Sequence, residues 1–321
     1  MKEQIIINDV GPRDGLQNQA KILTPEQRLS LINKLLDAGV RHIEVGAFVS
    51  PKAVPAMAGT DIVAAGLPDG DYGFSALIPN RKGYELAKMA GITTMGLVIA
   101  ASNTMNEKNV RMTTEQALVV CEDVLAQAKT DGMNVVAYVA TAWECPFEGV
   151  TDEQPVIEIT GKLLEYGASE VILADTIGAA SPGQVKSLMS KLVAAYGADK
   201  LSCHFHDTRG MGVADVYAAV ECGIRKFDAS IGGLGGCPFA PGASGNVATE
   251  DVVLMLNQMG FDTGIDLGKL AAAADLAAEL TGNCDGGNAS GWIKRQIEKG
   301  DLASAAYLPQ KGLRCLFKSS T

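Results

Sequence analysis

The sequence predicts an α/β fold, a closed (β/α)8 TIM barrel with a short C-terminal helical extension. The main observation is a regular alternation of short apolar segments with helical stretches along most of the chain. Segments this apolar are typical of parallel strands that helices cover on both faces of the sheet. No GxGxxG motif opens the first helix, which weakens the alternative of an open doubly wound sheet. Eight strands are predicted, at 4–10, 41–49, 72–78, 93–101, 134–142, 169–176, 200–206 and 226–232.

Helix start signals lie between the predicted strands. A Ser or Thr followed three residues later by Gln is the pattern of a capping box. It occurs at 24–27, 113–116, 151–154 and 181–184, with proline at the first helical position in the first and last of these. We expect a barrel domain over residues 1–264 and a helical extension packed on it over residues 265–321.

Charge and composition exclude several classes of protein. The chain has 27 basic and 37 acidic residues, a net charge of −10, which argues against binding to nucleic acid or to an anionic membrane surface. No apolar run approaches the ~20 residues of a membrane span, and the N-terminal segment does not have the pattern of a signal peptide. The seven cysteines are scattered without a CxxC pair, which argues against a disulfide framework. We expect a cytoplasmic protein.

Reactive polar side chains gather where a barrel places its active site, at the carboxyl ends of the strands. Arg13 and Asp14 follow the first predicted strand, Glu44 lies in the second, and Asp175 ends the sixth. Asp175 has two interpretations, an acid that faces a ligand or a group that caps a helix. A Schiff-base mechanism has no suitable lysine, because Lys226 begins a strand instead of ending one.

Two of the three histidines of the chain lie at the end of the seventh predicted strand, at positions 204 and 206. Residues i and i+2 of a strand point to the same side, so both imidazoles can face one divalent cation, with zinc, manganese and magnesium all possible. Asp14 is the expected third ligand because barrel closure brings the first strand beside the last two. Asp207 is expected to orient the histidines, and Asn246 to offer a neutral oxygen. The alternative is a pair of hydrogen-bonded histidines without a metal.

A glycine-rich loop follows the eighth predicted strand and carries Cys237. Four glycines in the five positions 232–236 allow positive φ and close approach of the backbone to a ligand. A thiol on such a mobile segment can enter a site and give or take a proton. The alternative is a surface loop with an incidental cysteine. His42 lies at the opposite end of its strand, so we interpret it as structural.

Five segments together resemble the hydroxymethylglutaryl-CoA lyase family. The similarity runs in order from about residue 5 to residue 270, and the cysteine loop is its most specific part. The segments are DVGPRDGLQN at 9–18, FVSPK at 48–52, HFHDT at 204–208, GGCPFA at 235–240 and GNVATED at 245–251.

The resemblance implies a lyase that cleaves 3-hydroxy-3-methylglutaryl-CoA to acetyl-CoA and acetoacetate. It implies an acyl-CoA thioester as substrate, a homodimer or higher homo-oligomer, and Mg²⁺ or Mn²⁺ as cofactor. The implied metal ligands are Asp14, His204, His206 and Asn246. The implied catalytic residues are Arg13, Glu44, Asp175 and Cys237.

The sequence departs from the family pattern at 45–47, 140 and 144, and two of these positions bear on the substrate. Ala47 and Ala140 stand where the family usually has hydroxyl residues that can bind the free carboxylate of the substrate. These departures leave open a lyase for a related 3-hydroxyacyl-CoA dicarboxylate. A condensing enzyme like isopropylmalate synthase, which joins acetyl-CoA to a 2-oxo acid, is a further alternative; Leu16 and the cysteine loop argue against it. A binding protein without catalysis is the last alternative, and the set of acid, thiol and metal-ligating groups argues against it.

Overall fold

Eight parallel strands close into a barrel in the computed structural model, which describes residues 2–236, 245–282 and 286–301. Each strand lies inside one of the eight predicted segments, so the predicted (β/α)8 barrel is confirmed. The strands are β1 (Ile6–Asp9), β2 (His42–Ala47), β3 (Gly73–Leu77), β4 (Thr94–Ala100), β5 (Asn134–Ala140), β6 (Val171–Asp175), β7 (Leu201–Phe205) and β8 (Lys226–Ala229).

Closure of the barrel places β1 between β2 and β8. Asn8 of β1 is the register partner of both His42 and Asp228, and Asp228 is in turn the partner of His204 in β7. These pairings place the first strand next to β8 and one strand away from β7, as barrel closure requires.

A bulge interrupts β2 between Glu44 and Gly46. After it, Gly46 points away from the barrel axis, since a Cβ there would lie 2.4 Å from Arg28 Nη2. Successive residues of a strand point to opposite sides. Ala47 therefore points into the barrel.

Eleven helices lie around the barrel or follow it in the part of the chain that the structure describes. They are α1 (Pro25–Asp37), α2 (Thr60–Ala65), α3 (Arg81–Met89), α4 (Asn103–Val110), α5 (Thr114–Asp131), α6 (Glu153–Tyr166), α7 (Pro182–Tyr196), α8 (Gly212–Glu221), α9 (Thr249–Met259), α10 (Leu267–Thr281) and α11 (Ser290–Glu298). None of them is both long enough and apolar enough to cross a membrane.

Three of the four predicted capping boxes are confirmed, at the starts of α1, α5 and α7. The box predicted at 151–154 is wrong, because the residue that precedes α6 is Asp152. Thr151 is held elsewhere: its hydroxyl donates to the backbone oxygen of Thr141, and its amide donates to that of Trp143. These contacts anchor the segment that carries a two-stranded hairpin of Glu144–Cys145 and Gly149–Val150.

The helices bury apolar stripes against the outer face of the barrel. In α1 the side chains of Leu31, Ile32 and Leu35 are fully buried at helical spacing, and α10 packs against the same helix. Helices α10 and α11 lie in the predicted extension, whose boundary at residue 264 stays a prediction. The packed core holds the strand ends in fixed positions, which a polar site at the mouth of the barrel requires.

Candidate active site

Three metal-binding side chains converge at the carboxyl end of the barrel. Asp14 lies in a single π-helical turn, Gly11–Gly15, that follows β1. His204 lies in β7 and His206 directly after it. One ligand atom from each of the three side chains lies within 4.8 Å of the others. The structure thus brings together the carboxylate and the two imidazoles that the sequence grouped, in the spacing that one divalent cation needs.

Asn246 borders this cluster. Its Nδ2 donates to Asp14 Oδ2 at 2.8 Å and to the backbone oxygen of Leu234 at 2.9 Å. Its Oδ1 is buried and accepts no hydrogen bond from the residues that the structure describes. Because a buried amide oxygen without a donor is costly, the arrangement fits an oxygen that binds a cation. The donor set of carboxylate, imidazole and amide groups contains no thiolate and suits a divalent cation.

The glycine loop approaches Asn246 closely. A Cβ at Gly235 would lie 2.5 Å from Asn246 Nδ2, and a Cβ at Gly245 would lie 2.6 Å from the backbone oxygen of Gly233. Gly245 also has φ of +100°, which favours glycine. Glycine is therefore required at positions 235 and 245, where the backbone passes close to Asn246 and to Gly233. Cys237 lies outside the described residues.

Arg13 links the candidate metal ligands to a second acid. Its Nε donates to Glu44 Oε2 at 2.6 Å, and its Nη1 donates to Asp14 Oδ1 at 2.5 Å. Burial by itself lowers the pKa of Arg13, but the two carboxylates raise it above the ordinary value. The guanidinium therefore stays a cation with a fixed orientation at the barrel mouth.

Burial raises the pKa of each of the three acids near the mouth, but the net shift differs among them. Burial raises the pKa of Glu44 to about 7, although Arg13 opposes this shift. It also raises the pKa of Asp175, whose carboxylate accepts hydrogen bonds from the amides of Ala179 and Ala180 at 3.0 Å each. For Asp14 the nearby cations outweigh burial, and its pKa falls below the usual range. The two contacts of Asp175 hold the turn before α7, whose N-cap is Ser181, so Asp175 does not cap that helix, and its catalytic role stays a prediction.

Asp228 is a site residue that the sequence analysis missed. Its Oδ2 lies 3.0 Å from His204 Nδ1, whereas Asp207, expected to orient the histidines, accepts from the Gly212 amide at 2.7 Å and from Asn288 Nδ2 at 3.5 Å. A signal for Asp228 was present, because strand alternation places it on the inner side of the eighth strand.

Asp215 in α8 is a buried acid with no hydrogen-bond partner for either carboxylate oxygen among the described residues. Burial raises its pKa to about 8, and Asp175 and Asp207 add to this shift. The neutral form is therefore favoured in the folded state. The contribution of Asp215 to the free energy of unfolding has its full value below the unfolded pKa of 3.8. It is lost as the pH rises toward the folded pKa of about 8.

We therefore expect Asp215→Asn to gain stability relative to the wild type as the pH rises. Between pH 5 and pH 8, the difference in the free energy of unfolding should shift in favour of the variant by about 2–4 kcal/mol. Urea unfolding of both proteins at several pH values measures this difference in the free energy of unfolding. A difference that does not change with pH would contradict the raised pKa.

Comparison with known families agrees with this arrangement. The HMGL-like family model matches residues 4–277. The chain belongs to the HMGL-like family. The family model and the relatives described next identify the chain as a carbon–carbon lyase, and the cluster of Asp14, His204 and His206 is its candidate metal site.

Relatives within the HMGL-like family are similar over most of their length. Hydroxymethylglutaryl-CoA lyase YngG of Bacillus subtilis is 42% identical over 282 residues, which cover 87% of this chain and 94% of the relative. (R)-citramalyl-CoA lyase of Chloroflexus aurantiacus is 43% identical over 290 residues, 87% of this chain and 92% of the relative. The crystal structure of hydroxymethylglutaryl-CoA lyase from Pseudomonas aeruginosa superposes with a TM-score of 0.89 at 36% identity, covering 92% of this chain and 99% of that one.

Proposed function

We propose that this HMGL-like protein cleaves 3-hydroxy-3-methylglutaryl-CoA to acetyl-CoA and acetoacetate. The observation that carries the proposal is the cluster of Asp14, His204 and His206 beside the buried Arg13–Glu44 ion pair. Two relatives that are each 42% identical to this chain are named hydroxymethylglutaryl-CoA lyases. The structure of another such lyase, from Acinetobacter baumannii, is described as a complex with coenzyme A and 3-methylmalate. An acyl-CoA thioester is therefore the proposed class of substrate.

Asp14, His204, His206 and Asn246 would hold the cation, with Mg²⁺ or Mn²⁺ as the proposed ion. A cation bound there supplies Lewis-acid polarisation of the C3 hydroxyl, which lowers the pKa of that hydroxyl. The buried, unpartnered Oδ1 of Asn246 and the low pKa of Asp14 support this assignment.

Arg13 is proposed to stabilise the charge that develops during cleavage. When the bond between C2 and C3 breaks, its electron pair passes into the thioester and C3 becomes a carbonyl carbon. The product at that moment is the enolate of acetyl-CoA, with negative charge on the thioester oxygen. A guanidinium held in place by Glu44 and Asp14 needs no reorganisation to stabilise this oxyanion.

Two proton transfers complete the proposed reaction. The C3 hydroxyl must lose a proton, and Glu44, with a pKa of about 7, can hold or release a proton at neutral pH. The enolate carbon C2 must gain a proton, and Cys237 is the proposed donor. Asp175 is the remaining proposed acid–base group, supported by its position at the end of β6.

An assay of the purified protein with Mg²⁺ on a panel of 3-hydroxyacyl-CoA thioesters tests the proposed function. We expect release of acetyl-CoA from 3-hydroxy-3-methylglutaryl-CoA. Consumption of acetyl-CoA in the presence of a 2-oxo acid, with no thioester cleaved, would instead support the condensing enzyme. Light scattering tests the predicted homo-oligomer, and cell fractionation tests the predicted cytoplasmic location.

A related 3-hydroxyacyl-CoA is the second candidate substrate, because the mouth of the barrel lacks two hydroxyl groups. Ala47 points into the barrel at the end of β2, and Ala140 ends β5 on the same side as Tyr138. Thr141 does not replace them, since its hydroxyl is buried and donates to the backbone oxygen of Ala140 at 2.7 Å. The similarity to (R)-citramalyl-CoA lyase also favours this candidate.

We expect 3-hydroxy-3-methylglutaryl-CoA to bind about 10–100-fold less tightly here than in relatives that carry the hydroxyls, because a hydrogen bond to a charged group contributes about 1.5–3 kcal/mol. Ala47→Ser should then raise kcat/KM for this thioester by about 10-fold. Steady-state kinetics measure the change, with Ala53→Ser in the exposed loop after β2 as the matched control. Efficient turnover by the wild type with no gain from the serine would support the plain lyase assignment.

A further inference from the structure

The carboxylate of Asp228 lies inside the barrel below the candidate metal ligands. Its Oδ2 contacts His204 Nδ1 at 3.0 Å, and its Oδ1 accepts a hydrogen bond from Asn8 Nδ2 at 2.8 Å. Asp228 is only 5% exposed. Asn8 and His204 are its register partners on the two neighbouring strands, so strand pairing itself brings the three side chains together.

Tyr138 supports the imidazole of His204 from another direction. Its ring, on β5, stands edge-on to that of His204, with ring centres 6.2 Å apart and an angle of 83° between the planes. This edge-to-face arrangement is favourable and restricts rotation of the imidazole. His204 is therefore held by a hydrogen bond on one side and by an aromatic ring on another.

His206 lacks comparable support. Its Nδ1 is buried and has no hydrogen-bond partner among the residues that the structure describes. Its Nε2 lies 3.8 Å from Asp14 Oδ2. The two imidazoles therefore differ in support, although the sequence pattern His-x-His makes them look equivalent.

The contact with Asp228 fixes which nitrogen of His204 can bind a cation. A carboxylate accepts hydrogen bonds and does not donate them, so in the neutral imidazole Nδ1 carries the proton and Nε2 keeps its lone pair. Partners of this kind orient a metal-binding histidine and increase its basicity, and their loss typically costs 10–100-fold in metal affinity.

We infer that Asp228, itself held by Asn8, is a positioning residue that fixes His204 for cation binding, so that cation affinity depends on Asp228 through His204 and not through His206. The inference rests on the cation site of the proposed function. The inference explains why an acid is buried at position 228, since the proposed reaction itself does not use Asp228.

The first test measures Mn²⁺ affinity by electron paramagnetic resonance, with no substrate present. Asp228→Asn, which keeps the shape of the side chain, should raise the Kd by about 10–100-fold. Asp215→Asn is the matched control, since Asp215 is a buried acid of the same chemistry whose carboxylate makes no hydrogen bond to any of the described residues, the candidate ligands included. Its Kd should stay within twofold of the wild type. A twofold or smaller change in Asp228→Asn and in Asp228→Ala would overturn the inference.

A double-mutant cycle then separates positioning from a general loss of structure. Asp228→Asn should change the Kd by less than about threefold when added to His204→Ala, and by nearly its full effect when added to His206→Ala. Equal losses in the two backgrounds would overturn the inference. The melting temperature of each metal-free variant shows whether the fold persists.

The outcome is independent of the assay for cleavage. A wild type that binds Mn²⁺ and shows the predicted coupling, yet releases no acetyl-CoA from any thioester, would support the inference while contradicting the proposed function. A wild type that does not bind Mn²⁺ would overturn the inference.

Discussion

Arg13→Lys is expected to lower kcat by about 10²–10³-fold, the scale of losing one donor to a developing oxyanion. The guanidinium contacts Glu44 at 2.6 Å and Asp14 at 2.5 Å from two different nitrogens. The ammonium group of lysine is a compact charge at the end of a flexible side chain. It cannot contact both carboxylates in this arrangement while it also faces the substrate. Steady-state kinetics with saturating Mg²⁺ measure the loss, and Mn²⁺ affinity should remain close to that of the wild type.

Arg209→Lys is the matched control for this change. Arg209 also lies near the mouth of the barrel, but it pairs with Glu144 and its side chain is half exposed. Since such surface pairs contribute little, kcat should stay within about threefold of the wild type. A kcat of Arg13→Lys close to that of the wild type would show that Arg13 is only a structural charge.

Removal of the divalent cation with EDTA is expected to abolish activity, and Mg²⁺ or Mn²⁺ should restore it. Asp14 and the two histidines offer hard and borderline ligands that suit either ion. Ligand binding to the folded state alone also stabilises it, so Mg²⁺ at about 100 times its Kd should add about 2.7 kcal/mol to the free energy of unfolding.

The measurements are an acetyl-CoA release assay and thermal unfolding, each before and after metal is returned. His206→Ala is expected to weaken the response of the melting temperature to added metal. Full activity in metal-stripped protein would exclude the proposed mechanism. If activity does not return when metal is added, although the melting temperature is unchanged, the chelator treatment has damaged the protein.

The fold was predictable from the sequence because strand and helix signals agreed along the chain. The grouping of Asp14 with His204 and His206 was predictable as well, since two facts suffice for it: i, i+2 alternation and the closure of a barrel. Both are properties of the architecture and need no knowledge of individual side-chain contacts.

Contacts that depend on strand register were not predictable in the same way. Asp228 meets His204 because the two are register partners in β8 and β7, and Asp207 is nearer in sequence but accepts hydrogen bonds elsewhere. The capping pattern at Thr151 failed for a related reason, because that hydroxyl donates to a backbone oxygen ten residues away in the chain. Tertiary contacts prevailed over local patterns in both cases.

The bulge in β2 has a consequence for how substrate preference can change within this architecture. Without the extra residue, Gly46 would face the reaction chamber and Ala47 would lie against the helices outside. The bulge therefore turns the buried side chain of residue 47 toward the interior of the barrel and away from the outer helices. A small polar side chain at residue 47 would change the lining of the barrel while the strand pairing is retained, so we expect one substitution there to alter substrate preference without a change of the scaffold.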